Sequence, residues 1–152
     1  MYKGEPSEGI KFFNLLLESD EFTSELGKVA LASGKLEAEL ILFFKNNGIK
    51  EKYEKATLGK LINIGEKEKV FDKNLTAALK VVSKQRNYLT HSIYALFIDL
   101  IEESILEKSN LLDSDVHTYL DKVWQLKENL FALADIIQKK NKMPQTTLFT
   151  RQ

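Results

Sequence analysis

Apolar residues recur along most of the chain at alternating steps of four and three, the spacing that keeps side chains on one face of an α-helix. The clearest run, Phe22, Leu26, Val29, Ser33, Leu36, Leu40 and Phe43, predicts a long helix over about 21–47. Ser19 or Asp20 is placed to cap its start. Asn46-Asn47-Gly48 is placed to stop it, with Gly48 suited to the left-handed position that follows a helix. A second run, Leu75, Leu79, Val82, Arg86, Leu89, Ile93, Leu96 and Leu100, predicts a helix starting near Asp72 or Asn74. A third, Val116, Tyr119, Val123, Leu126, Leu130, Leu133 and Ile137, predicts a helix capped by Ser114 or Asp115 and running to about Lys140. Between the first two, Thr57 caps a short helix ending near Gly65, and Asn110 to Asp113 makes a turn before the last. No stretch alternates convincingly as a strand. The pattern predicts an all-α protein, an up-and-down bundle of four to five helices. Residues 1–18 read as an N-terminal arm or short helix, 19–140 as the bundle, and 141–152 as a C-terminal tail.

Composition narrows the chemistry more than the fold. The 152 residues suit one domain, and 22 basic residues against 22 acidic ones give no net charge. A broad nucleic-acid footprint needs an excess of Lys and Arg, so only a small, local RNA contact is compatible with this balance. The absence of cysteine excludes disulfides and thiolate metal sites. The best apolar run, Ile93 to Ile101, carries Asp99 and is about half the length a membrane span needs. With no secretory leader pattern at the N-terminus, a cytoplasmic location and no membrane partner are expected.

One residue breaks the apolar pattern in a way that demands chemistry. Arg86 falls on the second stripe, where an aliphatic side chain is expected. An isolated buried charge costs several kcal/mol, so the guanidinium must meet a carboxylate, face a wet cleft or sit at a subunit seam. Glu37 and Glu39 on the first helix are the intrachain candidates. Asn87 and His91 are four residues apart and fall about 40° from each other on a helix. Arg86 and His91, five apart, fall about 140° apart, so they converge only if the helix distorts or a second subunit completes the site.

The segment Lys84-Gln85-Arg86-Asn87-Tyr88-Leu89-Thr90-His91 resembles the R-x4-6-H signature of the HEPN superfamily, small all-helical domains that include many metal-independent RNases. The pattern Leu58-Gly59-x-Leu61-Ile62 is similar to the short second helix of several bundles of this type. The resemblance implies an endoribonuclease, a toxin or defence component, with Arg86, Asn87 and His91 as its catalytic residues and no cofactor or metal. Such a reaction needs a base for the 2'-hydroxyl proton and an acid for the leaving 5'-oxygen, and histidine suits both tasks near neutral pH. One chain offers one histidine in the motif, so a homodimer is expected to supply the pair. Arg86 would then stabilise charge on the phosphoryl oxygens, and Asn87 would orient His91 or hold an oxygen. The implied partners are a second copy, an RNA substrate and an antitoxin protein.

One toxin subgroup carries Tyr two residues after the His. Here Ile93 holds that place and Tyr94 follows, a departure that speaks against modification of this tyrosine by an antitoxin. The alternative expectation is a non-catalytic helical dimerisation or regulatory module, HEPN-like or resembling the mannitol-operon repressors. Other candidates are weaker. His117 is expected to be solvated, Trp124 to flank the core or a dimer surface, and Lys139, Lys140, Lys142 and Arg151 to form an ordinary basic end. Glu37, Glu39, Glu102 and Glu103 lack the Glu-x-x-His pairs that a di-metal carboxylate bundle uses.

Overall fold

The computed structural model describes residues 6–97 and 115–143. They form an all-α helical bundle, with no strand among the described residues. The elements in order are α1 (Pro6–Glu18), α2 (Asp20–Asn46), α3 (Leu58–Lys67), α4 (Lys73–Asn87), a π turn (Tyr88–Ser92), α5 (Ile93–Phe97) and α6 (Asp115–Asn141). The π turn joins α4 to α5 without a loop.

Local chemistry sets the helix ends. Ser19, alone between α1 and α2, accepts the Phe22 amide on its hydroxyl at 3.1 Å. Thr57 Oγ1 does the same for Lys60 at 3.3 Å, and Asp72 Oδ1 for Leu75 at 2.7 Å. Each such cap satisfies an amide that the helix cannot, and stabilises by about 0.5–2 kcal/mol. At the far end of α2, Gly48 takes φ +68°, a left-handed backbone that favours glycine. Its amide donates to the Lys45 carbonyl at 3.2 Å and that of Ile49 to Phe44 at 3.0 Å, the paired bonds of a Schellman stop.

The chain divides into two compact units, with the divisions falling inside α2, α4 and α6. The first contains the described residues up to Val29 and those between Lys84 and Lys127. Its buried side chains include Phe12 and Leu16 from α1, Phe22 and Val29 from α2, and Tyr119, Val123 and Leu126 from α6. Tyr88 and Leu89 of the π turn and Ile93 of α5 are buried there too. The Phe12 and Tyr119 rings meet at 5.4 Å, and Phe13 meets Tyr94 edge-on at 4.8 Å.

The second unit holds Ala30–Ser83 and the described residues from Glu128 onward. Leu36, Leu40, Phe43 and Phe44 of α2 are buried in it, as are Leu58, Leu61 and Ile62 of α3, Leu79 and Val82 of α4, and Leu130 and Ile137 of α6. Phe71, between α3 and α4, lies 5.1 Å from the Phe43 ring and 6.3 Å from Phe44. Across the unit, Lys35 pairs with Asp135 at 3.1 Å. The Asn141 amide donates to the Glu39 carbonyl at 3.0 Å and to its carboxylate at 2.8 Å.

The described side chains of the three stripes are therefore mostly buried, with Leu26, Leu75, Arg86 and Val116 only half-buried. Leu100, the turn expected at 110–113, the Ser114 cap and the tail beyond Met143 lie outside the described residues.

Three helical glycines divide sharply by environment. A Cβ on Gly65 would stand 2.7 Å from the Phe71 ring, whereas one on Gly27 or Gly34 would meet nothing within 4 Å. Gly65→Ala should destabilise by about 1–3 kcal/mol through overpacking. Gly27→Ala and Gly34→Ala should stabilise by up to about 1 kcal/mol, because alanine restricts the unfolded chain and favours helix. Urea unfolding of the three variants checks the opposite signs.

Candidate functional site

The motif falls where α4 changes its hydrogen-bonding pattern. Arg86 and Asn87 close α4, and the next five residues, Tyr88–Ser92, form the π turn that carries His91. A turn of this kind bonds residue i to i+5 in place of i+4, and such turns concentrate at functional sites. Its local cause is visible in the burial. Tyr88 and Ile93 are five residues apart, yet only 8% and 9% exposed. In a straight α-helix they would point about 140° apart. Widening the turn lets residues five apart stand one above the other, so both reach the core of the same unit. The Tyr88 hydroxyl lies 3.2 Å from that of Tyr119 on α6, a buried pair that fixes one end of the turn.

The same widening acts on the motif. Each step inside the π turn rotates the chain by less than the α-helical value of about 100°, so Arg86 and His91 stand closer in angle than a straight helix allows. Asn87 and His91 are exposed, and Arg86 is half-buried. The Arg86 Nε is itself buried and has no hydrogen-bond partner among the described residues. Leaving a buried donor unsatisfied costs about 1–3 kcal/mol, more when it is charged. Among the described residues Arg86 forms no ion pair. The Glu39 carboxylate, one of its expected partners, is taken by Asn141. The Arg86 carbonyl, by contrast, accepts a bond from the Thr90 hydroxyl at 2.7 Å.

His117 is exposed in the first turn of α6. Trp124 is 47% exposed, with the Lys127 ammonium 5.6 Å from its ring centroid. Together with Leu120, Asp121, Asp20, Glu21, Ser24 and Glu25, it lines an open groove of about 560 Å³ in the first unit, which the motif residues do not line. Glu25 and Lys127 were not singled out by the sequence pattern, because a partner on a distant helix leaves no local signal. Their Oε2–Nζ distance is 2.8 Å, and both side chains are mostly buried.

Among the described residues no three His, Asp or Glu side chains are grouped to hold a metal ion, and no helix is long and apolar enough to cross a membrane. Comparison of the chain with protein-family models, curated proteins and solved structures gives no match.

Pairing with the Lys127 ammonium holds the Glu25 carboxyl below its ordinary value of 4.5, with Lys28 adding to the effect. A lowered carboxyl contributes stability above about pH 4.5 and loses it as pH falls through the folded value. Lys127→Met should therefore lower the melting temperature at pH 6, and the gap from the native protein should shrink towards pH 3. A gap that stays constant over that range would contradict the pairing.

Proposed function

We propose that this protein is a metal-independent endoribonuclease of HEPN type, a toxin or defence component that cleaves RNA by 2'-hydroxyl transesterification at a site composed from two copies. The observation that carries this reading is the π turn. It presents His91 to solvent five residues after an arginine whose Nε is buried and unpartnered among the described residues. A rare backbone geometry and an unsatisfied buried donor at one hexapeptide are both features that accumulate where a protein handles a ligand.

On this reading His91 removes the proton of the 2'-hydroxyl as its oxygen attacks the adjacent phosphorus. The same residue of a second copy gives a proton to the 5'-oxygen as the P–O5' bond breaks. The products are a 2',3'-cyclic phosphate and a 5'-hydroxyl. Arg86 donates to the non-bridging oxygens as their charge grows, through a planar fork already held by half-burial. Asn87, exposed one helical turn before His91, holds the imidazole or a phosphate oxygen. The second reading is a non-catalytic dimerisation module. It is favoured by Leu31 and Leu42, which are 73% and 45% exposed on one face of α2.

His91→Ala should abolish RNA cleavage by the purified protein, a loss of at least about 100-fold for a general acid–base group, without change in the melt. Arg86→Lys should recover little of the activity lost in Arg86→Ala, since a point charge does not reproduce the fork. EDTA should leave cleavage intact, and one 2'-deoxy nucleotide at the cleaved position should block it. Undiminished cleavage by folded His91→Ala, or revival by Mg²⁺ after EDTA, would sink the catalytic reading in favour of the dimerisation module.

A further inference from the structure

We infer that Thr90 is a positioning residue, whose hydroxyl holds the π turn in the form that brings His91 round towards Arg86. The inference rests on the catalytic reading of that pair, but its geometry stands apart. Thr90 is half-buried at the middle of the π turn, and its Oγ1 donates to the Arg86 carbonyl at 2.7 Å. That carbonyl belongs to the last turn of α4, at the point where bonding passes from i→i+4 to i→i+5. A hydroxyl returning a bond to the carbonyl four residues back competes with the backbone ladder and bends helices. Here the bond ties the middle of the wide turn to the arginine's own backbone. Tyr88, bonded to Tyr119, and Ile93, buried in the same unit, hold its two ends. Apolar burial at five-residue spacing explains why the turn is wide, and the Thr90 bond to the last turn of α4 explains why the wide turn starts at Tyr88. Thr90 touches no substrate in this scheme and acts through His91.

The test removes the hydroxyl while keeping the shape, in Thr90→Val, with Thr90→Ala as a second route and Thr90→Ser as the variant that retains the bond. Backbone NMR over residues 86–93 should show i,i+5 contacts in the native protein and in Thr90→Ser, replaced by i,i+4 contacts in Thr90→Val and Thr90→Ala. In RNA cleavage, kcat should fall on the order of 10- to 100-fold in the two hydroxyl-free variants, with KM unchanged and activity restored in Thr90→Ser. Adding Thr90→Val to His91→Ala should cost nothing further. Retention of the i,i+5 contacts in both hydroxyl-free variants would overturn the inference, and so would their loss without any fall in kcat. If the native protein cleaves no RNA, or His91→Ala cleaves normally, the catalytic reading fails, and the NMR contacts alone then decide whether Thr90 holds the turn.

Discussion

The burial of Tyr88 and Ile93 in one core is the constraint from which the geometry of the candidate site follows. Full burial of a large apolar side chain is worth about 1.5–3 kcal/mol, and a straight α-helix could give that to one of the two but not both. Widening a single turn disturbs a few backbone bonds and recovers both side chains, together with the buried pairing of the Tyr88 and Tyr119 hydroxyls. The balance favours the π turn. Its outer edge then carries what the core does not use, so Asn87 and His91 face solvent while Arg86 is drawn half into the protein. Placement of the motif thus follows in part from core packing.

The partner of the turn is itself held in place within the first unit. Phe12 reaches Tyr119 from α1, so the hydroxyl partner of Tyr88 is itself wedged by an aromatic neighbour. Ser19 breaks the chain between α1 and α2 by a single residue and caps the second helix immediately, which leaves little freedom in how α1 returns. In the second unit the Asn141 amide closes on both the backbone and the side chain of Glu39, pinning the end of α6. Substitution in any of these places should be felt as lost stability first, because each links packing to a satisfied polar group.

The all-α class, the three buried stripes and most helix ends were legible in the sequence because they arise from local rules. Period, caps and the left-handed Gly48 need no knowledge of the rest of the chain. The π turn was not legible. Leu89 and Ile93 keep the α-helical phase of Leu79 and Val82, so the stripe passes through the motif as if the helix were regular. The departure shows only in Tyr88, whose burial depends on Tyr119 some thirty residues on. Distant partnerships hid the rest. Glu39 was available on paper to Arg86 but is held by Asn141, while Glu25 and Lys127 form a pair that neither local sequence suggests. Arg86, Asn87 and His91 were legible as residue types at a spacing. Their relative orientation was not, since it depends on how many residues complete the turn between them.

The neutral net charge places a further demand on the proposed chemistry. A protein with 22 basic and 22 acidic residues gains little from the release of counterions along an RNA backbone, so affinity has to come from a few well-placed donors. A half-buried guanidinium meets that demand better than an exposed one. Its field is less screened, and part of its desolvation and ordering cost has already been met in folding. His91, in contrast, has to stay accessible, because a proton carrier must reach both substrate and solvent within one cycle. On the proposed reading, a half-buried arginine and an exposed histidine divide the labour that a transesterification site needs. On that reading one chain would supply a single proton carrier for a reaction with two proton transfers. A second copy of the chain is the simplest source of the other.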